Sequence, residues 1–430
     1  MRKSKLWKKL LGVEHAVVED ADVAGAPDGS EIAVVRLRPD RGHRLRCPGC
    51  GRKCRFYDAG EGRRRWRALD LGVMRCFLEA DAPRVRCPRH GVLTAAVPWA
   101  RRGARFTIAF EEHAAWLCAQ MPWSKAARLL RVTWRSLQSI VERVVAGLRG
   151  GKDRLDGVRR IGIDEKAWRK GHRYITVVID HDAGRIIWAA EGRNKETLAK
   201  FFDDLGEERA GRLTHVSADG ADWIHGVVRE KAPQALICLD AFHVVKWAGE
   251  KLDELRRRLA GELRAAGKAD EAASLGKGMW ALRKDPGGLS GGQRTALAQI
   301  AADNKQLYKA YLMKEQLREV FKAKGERGKA LLAGLIAWCQ RCRIPEFTAL
   351  AKTLKRFRQL IWNTLDHAVS NGRAEGINTQ LAALTARARG FHSANAFIAM
   401  AELTCGGLCP DLPGREPKPV ITGRAEEPLR

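Results

Sequence analysis

Three carboxylates stand where chemistry could gather: Asp164 in RIGIDEKAWRK, Asp219 in VSADGAD and Glu375 in SNGRAEGIN. Asp164 and Asp219 are 55 residues apart, and Glu375 follows 156 residues later. Acids scattered in this way suit hard oxygen ligands for Mg²⁺, which takes carboxylates, waters and substrate phosphate. Two such ions about 4 Å apart can activate an attacking oxygen and stabilise the leaving one in phosphodiester cleavage. The expectation is that the three acids meet in space. Each also has a plainer reading: a solvated Asp164–Glu165 pair at a strand end, a turn at Asp219–Gly220, a solvated helix face at Glu375. Asp222 and Asp240 are rival acids, and spacing alone does not choose among them.

A second set is softer. Cys47-x-x-Cys50 and Cys87-x-x-His90 are two metal-ligand knuckles about forty residues apart. Together they supply four ligands for a tetrahedral Zn²⁺, with Cys54 as a possible substitute. Pro and Gly in the knuckles favour the tight turn that aims both ligands at one ion. Cys339-x-x-Cys342 and the Cys405/Cys409 pair have no such counterpart and read as buried or idle thiols.

These residues need elements to hold them. Ile161–Ile163 and Tyr174–Ile179 read as two strands joined by a polar turn, placing Asp164 at the end of the first. A strand over Arg185–Glu191, a helix over Lys195–Leu205, a strand over Leu213–Ser217, a helix over Ala221–Lys231 and a strand over Ala235–Leu239 follow. That order fits a mixed sheet with helices on its faces, its acids where strands end. Upstream, Glu14–Val18 and Glu31–Leu37 form a strand pair, and the stretch between the knuckles reads as a small ribbon. A helix over Ile108–Cys118 precedes Ser124–Leu130, a short Arg-Val-Thr link, and a helix over Trp134–Leu148 N-capped by Thr133. This pair resembles a helix-turn-helix with Arg135, Gln138 and Arg143 on its outer, DNA-facing side; an ordinary helical hairpin is the alternative. Residues 244–360 are helical in pattern. Their GGLSGGQ, Gly287–Gln293, matches the signature loop of ATP-binding cassette ATPases, but no phosphate-cradling G-x-x-x-x-G-K-[ST] accompanies it, so it reads as a helix-connecting turn. His367–Ala388 should be one helix presenting Ser370, Glu375 and Asn378. The tail beyond Cys409 has the composition of a disordered segment.

The formal net charge is +28, from 78 Lys+Arg against 50 Asp+Glu in 430 residues. The first 150 residues carry 30 and 15, the other 280 carry 48 and 35. Such an excess suits a nucleic-acid partner, the first third above all. The longest apolar run, 330–339, is too short to span a bilayer. No signal peptide is visible, so the expected address is the cytoplasm.

Taken together, CPGCG with CPRHG, GIDEKAWRKGHRYITVVID, VSADGADW, LDAFHVVK and SNGRAEGINTQLAALTARARGF resemble the ISL-three family of bacterial insertion-sequence DDE transposases. The resemblance spans roughly residues 40–405. It implies an α/β fold with an RNase H-like mixed-sheet catalytic core and a helical insertion, preceded by a zinc-binding ribbon and a helix-turn-helix. The implied boundaries are 1–100 for the ribbon domain, 101–150 for the helix-turn-helix, 151–243 for the first part of the core, 244–360 for the insertion, 361–408 for the final core helix and 409–430 for the tail. It implies a catalytic triad of Asp164, Asp219 and Glu375 binding two Mg²⁺ or Mn²⁺ ions, and structural Zn²⁺ on Cys47, Cys50, Cys87 and His90. His90 departs from the Cys more usual there. Asp240 and His243 match a further motif as accessory residues. The implied partner is double-stranded DNA, both terminal inverted repeats and target, with a homodimer or higher oligomer on it and no membrane. Two other readings remain open: a domesticated DNA-binding regulator, and an RNase H-like nuclease without strand transfer.

Overall fold

The computed structural model describes residues 3–151, 153–169, 171–367, 371–388 and 391–412; the side chains of 3–5 and 371–375 lie outside that description. The chain divides into two compact units, Met1–Lys152 with Glu402–Arg430, and Asp153–Ala401.

In the first unit a short helix, α1 (Lys3–Leu11), leads into strands β1 (Ala16–Gly25), β2 (Glu31–Pro39), β3 (Arg55–Asp58), β4 (Arg63–Leu71), β5 (Met74–Asp81), β6 (Arg84–Cys87) and β7 (Gly91–Thr94). They make a four-stranded sheet, β1-β2-β5-β4, and a three-stranded antiparallel one, β3-β6-β7. Val35, Leu37, Trp66, Cys76 and Leu78 form the core of the larger sheet. The first hairpin is longer than expected: β1 pairs with β2 out to Gly25–Glu31. Its EDADVAG stretch is polar because most of it is exposed, which hid the strand from a search for apolar runs.

Helices α2 (Ile108–Gln120), α3 (Trp123–Leu130) and α4 (Trp134–Arg149) follow. Thr133 caps α4, its hydroxyl accepting from the Ser136 amide, a bond worth about 1 kcal/mol. Arg131 turns the chain in the left-handed region at φ 54°. Leu137, Ile140, Val141, Val144 and Val145 bury one face of α4. Arg143 does not lie on the outer side as expected. Its guanidinium reaches the fully buried Glu111 of α2 at 2.7 Å, and Arg101 holds the other Glu111 oxygen at 3.0 Å. A buried carboxylate demands cations, so this arginine is drawn inward to the α2–α4 packing.

The second unit centres on a five-stranded sheet. Its strands are β8 (Arg160–Arg169), β9 (Arg173–Asp180), β10 (Arg185–Glu191), β11 (His215–Ala218) and β12 (Leu236–Leu239), in the order β10-β9-β8-β11-β12. β8, β11 and β12 run parallel; β9 and β10 pair antiparallel. Ile175 to Asp180 are all buried, as expected of a sheet covered on both faces. Helices α5 (Lys195–Leu205), α6 (Glu207–Ala210) and α7 (Asp222–Lys231) connect these strands, and Phe201, Phe202, Ile224 and Val228 join the sheet's core.

After β12 come eight helices: α8 (Ala241–Ala265), α9 (Ala269–Lys277), α10 (Met279–Arg283), α11 (Gly291–Asp303), α12 (Lys305–Ala323), α13 (Gly325–Arg341), α14 (Pro345–Arg356) and α15 (Arg358–His367). One hydrophobic cluster runs through them from Leu239 to Leu365. Cys339 and Cys342 are buried within it, in line with structural thiols. GGLSGGQ is a helix start: Ser290 and Gln293 form a reciprocal capping box at α11. Two further helices, α16 (Asn371–Ala388) and α17 (Ala394–Cys405), are the last among the described residues. The helix expected from His367 begins at Asn371; residues 368–370, with Ser370, lie outside the described residues, as do 413–430 of the expected tail. No described helix is long and apolar enough to cross a membrane.

Candidate active site and metal centre

Asp164 sits in mid-strand, not at a strand end, because β8 keeps pairing with β9 as far as Arg169–Arg173. On its other side β8 pairs with β11 only at Arg160, Ile161 and Gly162. Asp164 therefore lies just past the last rung on that side, where a parallel sheet opens at its C-terminal edge. Asp219 follows β11 directly, and its side chain accepts from the Ala221 amide at 3.0 Å. His225 of α7 donates from Nε2 to the Asp219 carbonyl at 2.8 Å. A Cβ on Gly220 would meet the Trp247 ring at 2.6 Å, so that position has room only for glycine.

Asp240 ends β12 and caps α8, accepting from the Phe242 amide at 2.9 Å. Its second oxygen meets Nδ1 of His243 at 2.9 Å. Burial pulls the His243 imidazole down, but its bond to Asp240 and the charges of Asp240, Asp164 and Asp219 prevail, and its pKa lies above the usual value. Asp164 is pushed up, first by burial and then by Asp240; the Glu165 amide, His243 and a hydrogen bond from Asn378 oppose the rise. Acids carried by three parallel strands thus act on one histidine, and Asp164 also feels Asp240. Asn378 belongs to α16, whose backbone carbonyl at that residue also accepts from Lys166 at 3.4 Å. Glu375 lies one helical turn earlier in α16, and its side chain lies outside the described residues.

Glu165 departs from the solvated reading. Its side chain is only 8 % exposed, paired with Arg193, and its Oε1 has no hydrogen-bond partner. Burial, helped by Asp219 and Asp164, pushes its carboxyl up to about 7 despite Arg193. Alternation along β8 was the available signal: Asp164 and Glu165 must point to opposite faces of a covered sheet. The rival Asp222 is taken by Arg356, at 2.6 Å.

In the first unit the donor atoms of Cys47, Cys50, Cys87 and His90 all lie within 4.8 Å of one another. Cys47 Sγ to His90 Nδ1 is 3.5 Å, Cys87 Sγ to His90 Nδ1 is 3.6 Å, and Cys50 Sγ to Cys87 Sγ is 3.7 Å. The edges of a tetrahedron with Zn–S of about 2.3 Å and Zn–N of about 2.0 Å are about 3.5–3.8 Å long, so the donor set fits Zn²⁺. Burial opposes it, but the amides of Arg89 and His90 and the His90 ring bring the Cys87 thiol down to about 6, toward the thiolate a metal needs. Gly49 makes room for the ring: a Cβ there would touch it at 3.1 Å. Cys54 is outside the quartet, donating instead to the Arg52 carbonyl at 3.4 Å. Among the described residues the acids of the sheet form no comparable three-ligand group.

Arg135 is exposed in the first turn of α4, and Gln138 donates to Glu142 at 3.0 Å.

A basic chain with a helix-turn-helix and an acid-lined sheet edge has the equipment of an enzyme that works on DNA phosphates. Comparison with known proteins agrees. Residues 161–401 match a family described as transposase, residues 95–145 the helix-turn-helix domain of transposase family ISL3, and residues 43–90 the zinc-finger of transposase IS204/IS1001/IS1096/IS1165. The transposase for insertion sequence element IS1557 of Mycobacterium tuberculosis, in strains CDC 1551 / Oshkosh and H37Rv, is 46% identical over 98% of this chain and 100% of its own. The transposase for insertion sequence element IS1001 of Bordetella parapertussis is 26% identical over 92% of this chain and 96% of its own. The chain belongs to the ISL3 family of insertion-sequence transposases. It is thus a DDE-type enzyme of DNA cleavage and transfer, with a DNA-binding helix-turn-helix and a zinc ribbon.

Proposed function

We propose that the five-stranded sheet is an RNase H-like core whose Asp164, Asp219 and Glu375 hold two Mg²⁺ or Mn²⁺ ions. The reading is carried by the placement of Asp164 and Asp219 on adjacent parallel strands, with α16 bringing Asn378 to Asp164. Glu375, at i−3 from Asn378, falls on the same helix face. The donors are hard oxygens, and Asp164 is buried, which fits a divalent ion. Such ions, when bound, neutralise charge building on the scissile phosphate.

The chain's own residues do the rest. Asp240 fixes the His243 ring through Nδ1, and the neighbouring acids favour its protonated form. Asn378 donates to Asp164 and orients its carboxylate. Arg135 and Gln138 lie toward the N-terminal part of α4, the part of a recognition helix that meets base edges. The enzyme binds the terminal inverted repeats of its element, hydrolyses a phosphodiester, and the freed 3′-OH attacks target DNA. Two ends must be held together, so at least a homodimer works on DNA, within the cytoplasm at the nucleoid. Zn²⁺ on Cys47, Cys50, Cys87 and His90 stabilises the ribbon. The proposed domains are those implied by the sequence: 1–100, 101–150, 151–243, 244–360, 361–408 and the tail 409–430.

The test is Asp164→Asn on DNA from the ends of the element with Mg²⁺. Cleavage should fall by about 10³-fold or more while the gel shift of the same DNA is unchanged. Cleavage at the wild-type rate would overturn the assignment.

A further inference from the structure

One cluster of ligand-type side chains is used neither by the acid site nor by the zinc quartet. His15 directly precedes β1, Asp40 directly follows β2, and His43 lies in the turn that leads into Cys47. Their donor atoms lie within 4.8 Å of one another. Asp40 uses both carboxylate oxygens: Oδ1 meets His43 Nδ1 at 2.9 Å, and Oδ2 meets His15 Nδ1 at 3.5 Å. The two imidazoles lie face to face, centroids 3.8 Å apart and planes 23° from parallel.

Two things about this arrangement call for a cause. His15 holds φ at 55°, a left-handed conformation that non-glycine residues rarely adopt. That conformation is locked by the Asp40 amide, which donates to the His15 carbonyl at 2.9 Å. The second is the stack itself. Two rings presenting the same nitrogen to one carboxylate repel if both are protonated. An ion bonded to both Nδ1 atoms and to Asp40 satisfies all three at once. Zinc bonds of about 2.0–2.2 Å to nitrogen and oxygen require donor separations of about 3.3–3.6 Å; His15 Nδ1 and Asp40 Oδ2 stand at 3.5 Å, and the His43 Nδ1–Asp40 Oδ1 pair, at 2.9 Å, would open by about 0.5 Å.

We propose that His15, Asp40 and His43 form a second metal site, for a divalent transition ion of the zinc class, with one position left to solvent. Imidazole with carboxylate selects Zn²⁺, Ni²⁺ or Co²⁺ over Mg²⁺. The site staples the open end of the β1–β2 hairpin to the segment entering the ribbon, four residues before Cys47. The partly exposed ligands, His15 at 51% and His43 at 35%, make it weaker and faster to exchange than the thiolate quartet.

Zinc bound by the full-length protein at equilibrium, read by dialysis against a known excess of free Zn²⁺, tests this. Two zinc ions per chain are expected in the wild type and one in His43→Ala. Asp40→Asn, which keeps the shape of the side chain, should also hold one. Co²⁺ loading adds a second readout: His43→Ala should lose half the bound cobalt yet keep the whole thiolate-to-cobalt absorption, which belongs to the cysteine site. Circular dichroism confirms that each variant is folded. One ion per chain in the wild type, or a content unchanged by both variants, would overturn the proposal.

Discussion

The zinc quartet and the acid site solve opposite problems. In the ribbon, four donors are gathered within 4.8 Å, three of their separations already at the edge lengths of a closed tetrahedron. At the sheet, Asp164 lies within β8 while Asp219 and Asp240 follow β11 and β12; each accepts from a neighbouring amide, and among the described residues they form no three-ligand group. A structural ion needs a shell that is finished by folding. A catalytic one needs open positions for water and phosphate, so its acids are held near one another but not closed. The cost shows in Asp164, raised first by burial and then by the charge of Asp240.

Exchanging damage between the two regions should break this contrast most clearly. Asp164→Asn removes cleavage and spares binding, as set out above. Cys87→Ser should do the reverse in kind: loss of zinc from the ribbon and weaker binding of the element's end DNA, by about tenfold or more, with the acid site intact. Zinc analysis and gel shifts on the same preparation check it; full binding without ribbon zinc would show that the quartet does not support the DNA surface.

A smaller effect is expected at Gly220. Gly220→Ala drives a methyl into the Trp247 ring and should cost about 1–3 kcal/mol, read by thermal melting, with cleavage falling further than stability predicts because Asp219 is adjacent. The smallest effect concerns Glu165. Its folded-state carboxyl titrates at about 7, above its ordinary 4.5, so the folded protein keeps that proton longer than the unfolded chain. Stability from this group is present at low pH and is lost as pH rises through about 7. Between about pH 5 and about pH 8, without added Mg²⁺, the wild type should lose more melting temperature than Glu165→Gln. Parallel melting curves for the two proteins would show that the buried carboxyl does not carry the slope.

The two regions also differ in how far the sequence betrays them. Each knuckle is local: two ligands three residues apart in a turn, which spacing alone makes legible. β10 and α5 were equally plain, since alternation and a capped amphipathic run are local too. The length of β8 was not, because its polar EKAWR half is held as strand by pairing with β9, a partner no window contains. Arg143 was misplaced for the same reason. Only the fold brings it to Glu111, 32 residues away. The acids were legible as residue types in context, but their meeting depends on strand order and on a helix that returns after eight others.

That excursion has one more effect. Its last helix, α15, lies along the outermost strand, where Asn363 donates to the Ile237 carbonyl at 2.8 Å and Thr364 to the Leu239 carbonyl at 2.7 Å. Side chains thereby occupy acceptors that an incoming strand would need. Ladder extension by another strand is therefore blocked along that margin.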